Sequence, residues 1–138
     1  MKRLPLAFFT AGATCVLVGM VWGAVMGSTE DFTLAPAHAH LNLVGWATLA
    51  LMGGFYQLSG KSGRLGWINF VLSFGAVVVM IPSLALFLSG DKAADAGVIA
   101  GSMLAIAGMA TFLTVVVSCW REAGAAETPA SAGMKEAA

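Results

Sequence analysis

Apolar residues fill four long blocks of the chain, and polar residues gather at the junctions between them. The blocks run from Pro5 to Gly27, His38 to Ser59, Gly66 to Ser89 and Ala96 to Trp120, and none contains Asp, Glu, Lys or Arg. Each is near or above the ~20 residues that carry a helix across a bilayer. The pattern predicts an all-α fold, an integral membrane four-helix bundle with spans at about 5–27, 38–59, 66–89 and 96–120. Residues 1–120 then form one transmembrane domain, with junctions too short for a soluble module. The remainder, 121–138, reads "REAGAAETPASAGMKEAA" and lacks the apolar content to fold alone, so a flexible cytoplasmic tail is expected.

Charge adds orientation. Lys2 and Arg3 precede the first block, Lys61 and Arg64 lie between the second and third, and Arg121 follows the fourth. The other two junctions carry Glu30 and Asp31, then Asp91, Lys92 and Asp95. Lys and Arg collect on the cytoplasmic side of short loops, which places both termini in the cytoplasm of a multi-pass protein of the bacterial inner (plasma) membrane. Charged residues make up 10% of the chain, against roughly 25% in soluble domains, and the mean hydropathy is +0.87. A cleaved signal peptide is disfavoured because the first apolar run is too long and the Glu30-Asp31 pair interrupts it before Ala37-His38-Ala39. With a net charge of zero and no basic patch, a nucleic-acid partner is excluded. Cys15 and Cys119 fall at different membrane depths and read as packing residues, not as a disulfide.

Small residues are patterned. Gly19, Gly23 and Gly27 recur every four residues in the first block, as do Gly97, Gly101 and Ala105 in the fourth. This spacing makes grooves for close helix contact, either inside the bundle or between copies in a homo-oligomer. Pro82 frees a backbone carbonyl in the third block, and Ser83 is at hand to satisfy it.

The candidate chemistry sits in "AHAHLNLVGW", residues 37–46, which holds both histidines of the chain. Pro36 suits the first turn of a helix, so His38 and His40 stand at the outer end of the second span. Ionisable residues in a membrane are functional candidates by default. Two residues apart, they point about 200° from one another on a regular helix and cannot both reach one metal. Below His38 lie Asn42, Gly45, Leu49, Met52 and Tyr56; below His40 lie Val44, Ala47, Leu51, Gly54 and Leu58, a smooth apolar face. A planar macrocycle needs an axial imidazole, small residues and apolar walls. Both faces supply these, and the polar groups favour His38.

The stretch "AHAHLNLVGWATLALMGGFYQL" resembles the second transmembrane helix of subunit I in the haem-copper oxidase superfamily, which includes the nitric-oxide reductases. The resemblance covers roughly the first 60 residues and implies that an outer-end histidine ligates a low-spin haem, expected to be b-type. Without gaps His38 takes the ligand position and Gly53-Gly54-Phe55-Tyr56 the downstream small-aromatic pattern; a second register puts His40 there, with Leu41-Asn42 following it. The H-A-H-x-x-x-x-G of His38, Ala39, His40 and Gly45 is also similar to the NnrS family of haem- and copper-containing membrane proteins. A binuclear haem-copper centre needs further histidines that this chain lacks, so catalysis by one protomer is not implied.

The leading expectation is therefore a small haem-binding membrane protein for electron transfer, haem handling or diatomic-gas sensing. Its candidate site residues are His38, His40, Asn42, Gly45, Trp46 and Met26, the last as a second axial ligand in competition with a symmetry mate's histidine or an open position. Copper held by His38 and His40 with methionine, through a distorted first turn or with ligands from two chains, is the alternative, because imidazole and thioether suit that metal. A third possibility is a cofactor-free structural or assembly subunit of a respiratory complex. Partners are then the lipid bilayer, further copies of the chain and a respiratory-chain protein.

Overall fold

The computed structural model describes residues 2–135, with side chains described through residue 125. The chain is all-α. Helix α1 spans Arg3–Thr29. Helix α2 is continuous over 35–59 but has three parts: an α-helical turn and a half at Ala35–His40, a π-helical segment at Leu41–Thr48, and a regular stretch at Leu49–Ser59. Helix α3 spans Arg64–Leu88; a 3₁₀ turn at Lys92–Ala94 leads into α4, Asp95–Lys135. Helix α4 thus continues past Trp120, where the flexible tail was expected to begin, and residues 136–138 of that tail lie outside the described residues.

Three helices, Arg3–Thr29, Arg64–Leu88 and Lys92–Ala125, are long and apolar enough to cross a membrane. The second expected span differs: it is helical throughout, but its longest regular α-stretch is the 11 residues Leu49–Ser59. Periodicity could not foresee this, because an apolar block reads the same whether its ladder is i→i+4 or i→i+5.

Local chemistry explains the joints. Helix α1 ends at Glu30 in the left-handed conformation, φ 56°, and the Asp31 carboxylate then accepts the Thr33 N–H at 3.0 Å. Pro36 stands in the first turn of α2, where its missing N–H costs nothing. Gly60, at φ 68°, closes α2, and the Lys2 ammonium donates to the Gly60 carbonyl at 2.5 Å, a cation on the negative end of a helix. Asp91 opens the last element by accepting the Ala93 N–H at 3.0 Å.

Helix α1 packs along α2, α3 along α4, and the two pairs share a core. One end of that core is aromatic: Phe8 stacks on Tyr56 with centroids 5.4 Å apart and meets Phe70 edge-on at 5.1 Å, while Phe112 of α4 meets Phe55 at 5.2 Å. The other end holds Cys15, Leu41, Val77, Met80 and Ile81, with Trp22 against them. Outward, large apolar side chains stand exposed on every helix, among them Met20, Leu51, Val71 and Ile106 at 61–75%. A water-soluble monomer does not leave this much apolar surface uncovered; contact with a lipid bilayer accounts for it.

The glycine stripes are used inside the chain. A Cβ on Gly101 would stand 2.5 Å from Met80 Cβ, one on Gly108 2.6 Å from Ser73 Oγ, and one on Gly97 would overlap Ser83, so α3 and α4 meet almost backbone to backbone. Ser83 donates to the Val79 carbonyl at 2.8 Å. That is one residue beyond the carbonyl Pro82 frees, so the expected repair of the proline gap is not the bond formed.

Candidate functional site

The π-helical segment sets the geometry beneath the histidines. Four residues exceed one α-turn by about 40°, so Ala37, Leu41, Gly45 and Leu49 would drift around a regular helix. An i→i+5 ladder turns less per residue and keeps all four on one buried line. Thr48 adds its hydroxyl to the wide turn, donating to the Leu43 carbonyl five residues back at 2.9 Å.

His38 lies on the side of α2 that meets α1 and is half-buried. Its Cε1 would be 3.0 Å from a Cβ on Gly23, so the ring occupies the notch left by that glycine. Trp22 meets it edge to face, centroids 6.4 Å apart at 87°. The Asn42 amide donates to the His38 carbonyl at 3.0 Å and lies 3.2 Å from Nε2 and 3.4 Å from Nδ1. A nitrogen nearly equidistant from both ring nitrogens in the ring plane would collide with Cε1, so the amide lies over the ring face. Its oxygen end fills the notch of Gly19. Two of the three patterned glycines of α1 thus seat His38 and Asn42; Gly27 faces open space.

His40 is placed in the opposite way. Its ring is exposed, and Nδ1 is 2.8 Å from the Pro36 carbonyl oxygen. A carbonyl only accepts, so Nδ1 carries the hydrogen and Nε2 presents its lone pair outward. This is the arrangement that fixes the tautomer and aim of metal-ligating histidines. The predicted divergence of the two imidazoles is present: one packs on α1 and the other faces out.

The remaining candidates are spread along the bundle. A Cβ on Gly45 would be 3.0 Å from Cys15 Sγ and 3.3 Å from Val77 Cγ1, so Gly45 joins α2 to α1 and α3. Trp46 covers Gly12, its Cε3 3.1 Å from the Cβ position there, away from both imidazoles along α1. Met26 is buried in the last turns of α1. Among the described residues no three of His, Cys, Asp and Glu come together as a metal centre.

A second polar locus escaped the sequence reading. Deep between α2, α3 and α4, Tyr56 donates to Asn69 Oδ1 at 3.2 Å, and the Asn69 amide donates to the Gly108 carbonyl at 2.8 Å and to Ser73 Oγ at 3.2 Å. Ser73 in turn donates to the Met52 thioether at 3.7 Å. Asn69 and Tyr56 are wholly buried. Every polar atom has a partner, which marks a structural clasp between helices. Its one signal in the sequence is an asparagine inside an otherwise apolar block. Beside it, a cavity of about 250 Å³ lined by Val44, Thr48, Met52, Ser73, Ile106 and Met109 opens between the π segment and α4.

No known protein family, curated protein or solved structure matches this chain.

Proposed function

We propose that the chain is a multi-pass membrane protein that binds haem through His40. The observation that carries this reading is the outward Nε2 of His40, its tautomer set by the Pro36 carbonyl 2.8 Å from Nδ1. Sequence reasoning favours His38, but that ring is packed between Gly23, Trp22 and the Asn42 amide, where no macrocycle has room on the α1 side. The four-residue register of the π segment sets Val44 and Thr48 below His40, and both line the mainly apolar cavity of about 250 Å³ beside α4.

The donor set fits one axial position per protomer. Twofold pairing of α2 faces would bring a second imidazole to the other side, since an isologous contact sets identical residues against each other. Bis-histidine haem supplies one-electron transfer, so electron transfer is the form of the function this donor set favours. A copper centre within one chain is less well served, because His38 and His40 diverge and no other His, Cys, Asp or Glu joins them among the described residues.

The test is the visible spectrum of protein purified in mild detergent from haem-replete cells, with His40→Ala and His38→Ala beside it. The expected result is a Soret band with sharp reduced α and β bands, lost in His40→Ala and retained in His38→Ala. Loss in His38→Ala alone would move the ligand to α1's side and overturn the assignment. Colourless wild-type protein would overturn haem binding altogether.

A further inference from the structure

Five cations, Lys2, Arg3, Lys61, Arg64 and Arg121, share the end of the bundle opposite the histidines, with one described carboxylate, Glu122. That carboxylate is taken: both its oxygens lie 2.7 Å from the Lys61 ammonium. The hydrogen bond raises Lys61 above its ordinary pKa. Lys2 is taken too, on the Gly60 carbonyl. Arg64 forms no ion pair among the described residues.

Arg64 stands between two recesses. On one side a cavity of about 340 Å³ runs in toward Tyr56, Leu65, Gly66 and Val115, with Lys61 at its rim. Its volume falls at the lower end of the ~300–1,000 Å³ of small-molecule sites, and its walls are apolar. On the other side a shallower recess of about 760 Å³ is walled by Trp67 and Ile68, both exposed, with Ser62 at its mouth. A guanidinium between two apolar recesses, at the basic end of a bilayer-facing bundle, matches one ligand chemistry: a phosphate carrying two acyl chains. Basic pockets beside transmembrane helices on the cytoplasmic side hold anionic lipid headgroups in this way. Arg is suited to the phosphate because its fork can donate two parallel bonds.

We propose that this end of the molecule binds an anionic diacyl phospholipid, its phosphate on Arg64 and one chain in each recess. The site is independent of the histidines and of any haem. Native mass spectrometry in uncharged detergent, with phosphatidylglycerol or phosphatidylcholine supplied at equal concentration, reads it directly. Wild-type protein should retain phosphatidylglycerol at least fivefold over phosphatidylcholine, and Arg64→Gln should lose that preference while keeping its helical circular dichroism. Ser118 of α4 also lines the first cavity, so Ser118→Leu, which narrows it and leaves every cation in place, should cut retention of phosphatidylglycerol and serves where Arg64→Gln fails to fold. Equal retention of the two lipids, unchanged preference in Arg64→Gln, or full competition by millimolar inorganic phosphate would each overturn the proposal.

Discussion

Replacing Gly101 by alanine would set a Cβ 2.5 Å from Met80 Cβ and 2.7 Å from the Met80 backbone nitrogen, and backbone cannot swing aside as a side chain does. The helices must part, so Gly101→Ala should destabilise the fold by about 1–3 kcal/mol, the usual cost of overpacking. Gly54 is also helical but meets nothing within 4 Å, so Gly54→Ala should be neutral or stabilising by up to ~1 kcal/mol, from helix propensity alone. Unfolding of both variants in one detergent by denaturant titration checks the pair, and equal losses would sink the argument. The spacing of glycines announced close helix contact. It did not say that Gly19 and Gly23 receive Asn42 and His38 of the same chain, because a notch in a sequence does not name its filler. Asn69 was harder still: its worth depends on Tyr56, Ser73 and the Gly108 carbonyl arriving from three helices.

At the scale of the element, α1, α3 and α4 were legible because an unbroken apolar block has one outcome in a bilayer, a helix that satisfies its own backbone. The π segment at Leu41–Thr48 was not, since no proline or charge marks it. Its cause lies in contacts that only the fold creates: Gly45 against Cys15 and Val77, and Trp46 over Gly12. A π turn holds about one residue more than an α turn of the same rotation. Excising Ala47 should therefore let the segment relax to α-helix while Ala37 and Leu49 keep facing the core. Excising Val78 from the regular α3 should instead rotate everything beyond it by about 100° and scramble the α3–α4 seam. Thermal unfolding should show a small loss for the first deletion and no cooperative transition for the second. The reverse ranking would mean that the π segment does not carry the extra residue.

For the whole molecule, the two ends carry opposite charge. Lys2, Arg3, Lys61, Arg64 and Arg121 lie at one, and Glu30, Asp31, Asp91 and Asp95, with Lys92, at the other. The helices connecting them contain no charged side chain between residues 5 and 27 or between 66 and 89, so nothing in the bundle interior opposes insertion in either direction. Orientation is left to the loops, and short basic loops stay in the cytoplasm. The reading of a haem protein with its imidazoles near the outer face and its lipid site near the inner one depends on that assignment. In a Cys15→Ser/Cys119→Ser background, a cysteine introduced by Asp31→Cys should react with a membrane-impermeant maleimide in intact spheroplasts. One introduced by Ser62→Cys should react only after the membrane is opened. Asp31 is exposed, so failure to label there could not come from burial. Labelling of residue 62 from outside would invert the molecule, put His40 beside the cytoplasm and remove the electrostatic reason for an anionic lipid at Arg64.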